Sequence, residues 1–266
     1  MSRVITSNGY EIGHAEVGGG DAVPIVFLHG VGSDKSVWQP QLDHFGRARR
    51  AIAFDYPGYG DSDPAPEGTT RDDYASAILS AMQELGVEQA HICGLSLGGV
   101  VAMAMHHAAP DCCVSLILAD TFAVHPDGYA IYERSLAGSR DLPAMAEARV
   151  DVLIAQPADP QVRREVVETM SRIDPAAYRV GAEAVWLAEQ RDRAGKIGVP
   201  TLVLVGDQDR ITPVDLANEL ADLIPDSRMH VIPGAGHLTN LEAPGEFNRL
   251  VEGFIAEVVN VRGNRS

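Results

Sequence analysis

Short apolar runs alternate with stretches of helical spacing along most of the chain. Five of these runs are four to six residues long and apolar for most of their length, which is typical of buried strands. Because strands that alternate with helices form parallel sheets, the pattern predicts an α/β fold with a mostly parallel central sheet and flanking helices. The predicted strands are residues 24–28, 90–93, 114–119, 200–205 and 229–233.

Two other elements have clear local signatures. Asn8-Gly9, between two short apolar segments, is typical of the two-residue turn of a β-hairpin. A helix is predicted from about Thr70 to Gly86, because acidic residues in its first turn interact well with the helix dipole and glycine often ends a helix. Its apolar stripe consists of Tyr74, Ile78, Met82 and Leu85.

The pattern changes between residues 121 and 196. Strand-like runs disappear there, and Ala, Arg and Glu recur at helical spacing. Two helix starts are predicted in this segment, each with aspartate as the N-cap and proline in the first helical position: Asp159-Pro160 and Asp174-Pro175. We therefore expect residues 1–120 and 197–266 to form a core, with residues 121–196 inserted as a helical cap over the carboxyl ends of the strands.

The charge balance narrows the range of partners. The 266 residues include 37 Asp and Glu but only 21 Lys and Arg, so the net charge is −16 and nucleic acid is not an expected partner. No apolar stretch approaches the ~18 residues of a membrane span, and residues 1–8 lack the apolar segment of a signal peptide. The three cysteines form neither a disulfide framework nor a zinc pattern. We expect a cytoplasmic protein with no membrane partner.

The segment Gly94-Leu95-Ser96-Leu97-Gly98 is the most informative one chemically. It lies between a predicted strand and a helix-like run, which is the context that a nucleophile elbow requires. The serine backbone of such a turn is strained, so the positions two before and two after it must lack bulk. Since roughly one chain in ten of this length matches the three fixed positions by chance, the interpretation needs support from other residues.

A serine hydroxyl becomes a nucleophile when a base accepts its proton and a carboxylate holds that base in the right tautomer. With this elbow, the expected order along the chain is serine, acid, histidine. His237, in a glycine-rich loop after the last predicted strand, is the candidate base. Asp209, after the strand at 200–205, is the preferred acid. Asp207 and Asp120 also follow predicted strands, at the carboxyl end of the sheet, and stay open as alternatives.

Acyl transfer also needs N–H donors for the negative charge that develops on the carbonyl oxygen. The backbone N–H of Leu97, directly after Ser96, is one candidate. The other is the N–H of Val31, in the loop after the strand at 24–28, because a glycine on each side lets the backbone turn toward the pocket.

With these residues in place, the chain resembles the α/β-hydrolase superfamily over nearly its whole length. The segments 94–99, 206–213 and 234–244 are most similar to the 3-oxoadipate enol-lactonase and esterase branch. The resemblance implies the α/β-hydrolase fold and no metal or organic cofactor. It also implies roles for five residues: Ser96 as nucleophile, Asp209 as acid, His237 as base, and Val31 and Leu97 as oxyanion donors. His29-Gly30 departs from that branch and is common in esterases and in hydrolases that split carbon–carbon bonds.

The expected function is hydrolysis of a small ester or lactone through an acyl-enzyme. One alternative is a carbon–carbon bond hydrolase of aromatic ring-fission products, which would use the same triad. The other is a non-catalytic small-molecule receptor. Candidate substrate contacts are Trp38, Trp186 and Arg134, with Arg140 as a second candidate arginine for a substrate carboxylate. The sequence specifies no oligomeric state.

Overall fold

One mixed sheet organises the part of the chain that the computed structural model describes, residues 2–7, 9–66 and 68–263. Its strands are β1 (Ser2–Ser7), β2 (Tyr10–Val17), β3 (Ile25–Leu28), β4 (Ala51–Phe54), β5 (Ala90–Leu95), β6 (Cys113–Ala119), β7 (Thr201–Gly206) and β8 (Ser227–Ile232). They lie in the order β1-β2-β4-β3-β5-β6-β7-β8. The contacts of β2 with β1 and β4 are antiparallel, and the remaining neighbours pair in parallel. The predicted mostly parallel sheet is confirmed.

The five predicted strands correspond to β3, β5, β6, β7 and β8. Every residue of the first four is buried, which explains why these strands appear in the sequence as nearly continuous apolar runs. The hairpin is also confirmed, because β1 and β2 pair with Ser7 opposite Tyr10. Asn8, the first residue of its turn, lies outside the described residues.

Helices cover both faces of the sheet. They are α1 (Gln39–Phe45), α2 (Arg71–Glu84), α3 (Leu97–Ala108), α4 (Gly128–Gly138), α5 (Leu142–Leu153), α6 (Pro160–Ser171), α7 (Pro175–Trp186), α8 (Arg191–Ala194), α9 (Val214–Leu223), α10 (Thr239–Glu242) and α11 (Pro244–Gly263). Short 3-10 turns occur at Lys35–Trp38 and Pro110–Cys112. None of the helices within the described ranges is long and apolar enough to cross a membrane.

The predicted helix starts follow from capping. Thr70 and Asp73 form a capping box at the start of α2. Asp159 and Asp174 are the N-caps of α6 and α7, and each is followed by proline in the first turn. An aspartate oxygen satisfies N–H groups that have no acceptor within the helix, and proline has no N–H to satisfy.

The sheet separates two apolar layers. Along β3, Val26 and Leu28 pack into the layer that includes α2, α3 and α9, whereas Ile25 and Phe27 pack into the layer formed with α1 and α11. This alternation is the period of two that a strand imposes on its side chains.

Five helices, α4 to α8, lie between β6 and β7 in the chain, within the segment predicted as a cap. An antiparallel bridge pairs Val124 with Glu189, so the two ends of this segment meet. Helix α5 packs on α6, and α4 packs on α7.

Candidate active site

Ser96 lies at the sharp turn between β5 and α3. Its φ is 55° and its ψ is −114°, a conformation that costs a non-glycine residue free energy. A Cβ atom at Gly94 would lie 2.1 Å from the carbonyl oxygen of Gly98, and one at Gly98 would lie 2.1 Å from that of Leu28. The turn therefore requires both glycines, as the nucleophile-elbow interpretation predicts.

The end of β6 holds this strained residue in place. The Ser96 N–H donates to the carbonyl of Ala119 at 2.9 Å, and the Thr121 hydroxyl donates to the carbonyl of Ser96 at 2.8 Å. With both backbone groups fixed, the direction of the Ser96 side chain is set by the fold, and that side chain lines a buried cavity.

His237 and Asp209 meet at the carboxyl ends of β7 and β8. His237 Nδ1 lies 2.9 Å from Asp209 Oδ2, and both residues are buried. Since an ionised carboxylate only accepts hydrogen bonds, Nδ1 carries the proton and Nε2 has a lone pair available to act as a base.

Asp209 is anchored by three further donors. Its Oδ1 accepts the N–H groups of Ile211 at 2.8 Å and Thr212 at 2.9 Å, and its Oδ2 accepts the Thr212 hydroxyl at 2.6 Å. Burial favours the neutral acid, but the electrostatic interaction and hydrogen bond with His237, together with the hydrogen bonds from Thr212, outweigh burial and lower the pKa of Asp209. The carboxylate is therefore ionised at neutral pH, which suits an orienting acid.

The alternative acids are engaged elsewhere. Asp207 is exposed, and its Oδ1 accepts the N–H of Gly234 at 2.7 Å. Asp120 is fully buried and accepts the Gly206 N–H at 3.0 Å and the Thr239 hydroxyl at 2.5 Å. Among the described residues, neither of these two carboxylates is hydrogen-bonded to His237, so the geometry favours Asp209.

Ser96 and His237 line the same cavity, whose volume is about 50 Å³. One buried water needs roughly 10–15 Å³ of such space, so the cavity has room for a small substrate. Within the described residues, the Ser96 hydroxyl and His237 are not directly hydrogen-bonded. Such contacts in unliganded enzymes are often long and tighten in the substrate complex.

The candidate oxyanion donors lie beside Ser96. Leu97 is the first residue of α3, so its N–H has no acceptor within the helix. The Gly30 carbonyl accepts hydrogen bonds from His29 Nδ1 at 2.8 Å and from the N–H and hydroxyl of Ser33 at 3.3 and 3.2 Å. Because N–H and C=O point in opposite directions across a trans peptide, anchoring this carbonyl also fixes the direction of the Val31 N–H.

His29 positions this loop as a neutral imidazole. Burial lowers the pKa of His29 despite the nearby charge of Asp55. A carbonyl only accepts hydrogen bonds, so the proton of the neutral ring is on Nδ1, where it holds the Gly30 carbonyl.

Of the three candidate substrate contacts, one lines the Ser96 cavity and two lie elsewhere. Trp186 lines the Ser96 cavity. Trp38 does not, because the 3-10 turn directs its ring into the core, where it stacks on Phe27 at a centroid distance of 4.9 Å. Arg134, on α4, lines a neighbouring outer cavity of about 700 Å³. The arginine that reaches the Ser96 cavity is Arg149, on α5.

Sequence reasoning also missed the hydrogen bonds that hold the loop carrying His237. Glu242 Oε1 accepts the N–H groups of Gly236 and Leu238 at 3.0 and 3.1 Å, and its Oε2 accepts the N–H of Ala155 at 2.6 Å. The His237 N–H donates to the carbonyl of Leu153 at 2.8 Å. The end of α5 thus holds the loop that carries His237, the candidate base. Glu242 lies within segment 234–244, but nothing in its spacing predicts this role.

A mostly parallel sheet with a serine at a strained strand-to-helix turn defines the α/β-hydrolase class. The model of the Alpha/beta hydrolase family matches residues 25–250, and the chain belongs to that family.

Three known proteins similar to this chain illustrate the range of activities in the family. The chain is 25% identical over 262 residues to 3-oxoadipate enol-lactonase 1 of Acinetobacter baylyi, covering 97% of this chain and 98% of the relative. It is 29% identical to 2-hydroxymuconate semialdehyde hydrolase of Pseudomonas sp. strain CF600, covering 90% and 88%. The crystal structure of the enol-lactonase from Burkholderia xenovorans LB400 superposes with a TM-score of 0.88 at 27% identity, covering 96% and 100%.

The stability of Asp120→Asn relative to wild type should rise as the pH rises above about 4. Burial and the charge of Asp209 raise the pKa of Asp120 well above its ordinary value of 3.8. The folded protein therefore keeps a proton that the unfolded chain releases, so wild-type stability falls as pH rises toward the folded pKa. Over that range, the contribution of Asp120 to stability should fall by at most about 1.4 kcal/mol for each pH unit. Each kcal/mol corresponds to roughly 2–4 °C in Tm.

Thermal melts of wild type and Asp120→Asn between pH 4 and 8 measure this difference. Asparagine has nearly the same shape without a charge. Its oxygen can accept the Gly206 N–H, and its amide can donate to the Thr239 hydroxyl, which donates to Asp120 in the wild type. A variant that is equally destabilised at every pH would contradict the account.

Proposed function

We propose that this protein is a serine hydrolase that cleaves a small carboxylic ester or lactone through an acyl-enzyme. The observation that carries the proposal is the 2.9 Å contact between His237 Nδ1 and Asp209 Oδ2, beside a cavity shared with Ser96 on its strained turn. A nucleophile, a base and an orienting acid together form the set that acyl transfer requires.

In the first half of the reaction, His237 Nε2 accepts the Ser96 proton as Oγ attacks the carbonyl carbon. The N–H groups of Val31 and Leu97 stabilise the oxyanion of the tetrahedral intermediate. The intermediate collapses when the C–O bond breaks and His237 donates its proton to the leaving oxygen. An ester then releases an alcohol, whereas an opened lactone keeps its hydroxyl on the acyl chain.

In the second half, His237 removes a proton from water, and the resulting nucleophile attacks the acyl carbon. The second tetrahedral intermediate breaks the bond to Ser96 Oγ, which recovers its proton from His237. The products are a carboxylic acid and the original enzyme. Each step uses side chains or N–H groups of this chain.

We propose residues 121–196 as a cap on a core of residues 1–120 and 197–266. Helices α5, α6 and α7 each contribute to the lining of the Ser96 cavity, through residues such as Leu153, Thr169 and Trp186. A cap in this position would exclude water and strengthen the electrostatic stabilisation of the oxyanion. The three free cysteines support a further proposal, that the protein acts in a reducing cytoplasm.

A substrate panel tests the proposed class. We expect kcat/KM for short-chain methyl esters or five- and six-membered lactones to exceed that for a ring-fission diketone by at least about tenfold, because differences of 1–3 kcal/mol in pocket fit have this effect. The small cavity and the two enol-lactonases among the relatives support this order. A higher kcat/KM for the diketone would instead support carbon–carbon bond hydrolysis with the same triad.

A further inference from the structure

Arg149 brings a positive charge to a cavity that is otherwise mostly apolar. Arg149 and Leu153 are four residues apart on α5, so they share one face of that helix, and both line the Ser96 cavity. The Arg149 guanidinium is half-buried and donates a long hydrogen bond, 3.4 Å, to the hydroxyl of Tyr178. The remaining lining is dominated by aliphatic side chains, among them Val166, Met170, Ile211, Leu238 and Leu241.

No carboxylate of the described chain pairs with Arg149, although its side chain is half-buried. The other arginines of residues 121–196 without an acidic partner are exposed: Arg134, Arg140, Arg164 and Arg179. Arg163 contacts Glu147 at 2.9 Å, and Arg193 contacts Asp72 at 2.7 Å. Arg172 and Arg191 also have acidic partners. A cation that faces an apolar cavity loses hydration, and an anion bound beside it would compensate for that loss.

We propose that Arg149 binds a carboxylate of the substrate, so that the preferred ester or lactone is itself an anion. This inference rests on the proposed function and names its substrate class. A guanidinium suits the role because its planar N–H groups can donate two parallel hydrogen bonds to one carboxylate. With the carboxylate held on α5, the scissile carbonyl would be presented to Ser96 in a fixed direction.

The lining of the neighbouring outer cavity also fits an anionic substrate. Arg149 and Ile211 belong to the walls of both the Ser96 cavity and the outer cavity of about 700 Å³. Arg134 and Arg210 also line the outer cavity, together with Asp127 and Asp215. Although the net charge of −16 opposes a distant anion, salt screens such fields beyond about 8 Å at physiological ionic strength. Three arginines, Arg134, Arg149 and Arg210, face two aspartates in the outer cavity, so its local charge is positive.

A matched pair of substrates tests the proposal. Monomethyl glutarate and methyl pentanoate have the same ester and the same spacer but end in a carboxylate and a methyl group, respectively. We expect Arg149→Gln to lower kcat/KM for monomethyl glutarate by roughly 10–100-fold, mainly through KM, because hydrogen bonds to charged groups are lost. For methyl pentanoate we expect a change below about threefold.

Two variants serve as controls. Arg149→Lys should restore part of the activity on monomethyl glutarate, because it keeps the charge without the paired N–H groups. Arg164→Gln removes an exposed arginine on α6 that lines neither cavity, and it should change kcat/KM for neither substrate. Equal losses on both esters in Arg149→Gln would overturn the proposal, because they would show a structural role only.

Binding of glutarate tests the site without catalysis. Isothermal titration calorimetry should show glutarate binding to wild type and at least about tenfold weaker binding to Arg149→Gln. Undetectable binding to wild type, or equal affinity in the variant, would overturn the carboxylate site. If wild type cleaved neither ester but bound glutarate through Arg149, the proposed hydrolase function would fail while the anion site stood.

Discussion

Replacing Ser96 with alanine should lower kcat for the best ester or lactone by at least about 10³-fold, because removal of a triad nucleophile has effects of this size or larger. The variant loses only Oγ, so the cavity lining and the candidate oxyanion donors stay in place. Substrate binding should therefore persist, and KM should change much less than kcat. Steady-state kinetics of the purified variant, with a thermal melt to verify folding, measure both quantities.

Ser76→Ala is the matched control for this experiment. Ser76 is exposed on α2, and its hydroxyl donates to the carbonyl of Asp72 at 2.9 Å, so its loss should leave kcat within about twofold. If Ser96→Ala retained most of the wild-type activity, Ser96 would not be the nucleophile.

Asp209→Asn should lower kcat by about 10³–10⁴-fold, while Asp207→Asn should stay within about threefold of wild type. Asparagine at position 209 removes the charge that stabilises an imidazolium and no longer fixes the proton on His237 Nδ1. At position 207, an asparagine oxygen can still accept the Gly234 N–H that Asp207 accepts now.

The two variants control for each other, because both aspartates lie in one loop and undergo the same chemical change. Rate constants at saturating substrate, measured for both variants in parallel, decide between them. A crippled Asp207→Asn with an active Asp209→Asn would reverse the assignment of the acid.

Local sequence signals were sufficient for most of the fold. Four of the fully buried strands, β3, β5, β6 and β7, were predicted from their apolar runs, whereas the four-residue strand β4 was missed. The starts of α6 and α7 follow from an Asp-Pro pair each. The elbow is visible because close packing excludes a Cβ atom at both Gly94 and Gly98. In each case a short segment contains the physical constraint that determines its structure.

The choice between Asp207 and Asp209 as the candidate acid required the three-dimensional structure. Asp207 and Asp209 follow the same strand, and the sequence cannot give the direction of either carboxylate in an irregular loop. In the structure, N–H groups of Ile211 and Thr212 turn Asp209 toward His237, while Asp207 faces Gly234.

The side chains that line the Ser96 cavity could be predicted only in part. Arg134 and Arg149 are both on helices between β6 and β7, and the placement of those helices decides which arginine reaches the Ser96 cavity. Likewise, the contact of Glu242 with Ala155 joins positions 87 residues apart. Such contacts depend on tertiary packing, and helical periodicity does not encode them.

Identification of the covalently modified residue tests the central claim, acyl transfer through Ser96, most directly. The protein would be treated with one equivalent of a p-nitrophenyl phosphonate ester, a mimic of the tetrahedral intermediate, and analysed by intact-mass and peptide mass spectrometry. The account predicts one adduct per chain on the peptide that contains Ser96, loss of activity in parallel, and no adduct in Ser96→Ala. An adduct on another residue that accompanies inactivation, or unmodified protein that retains full ester hydrolysis, would contradict it.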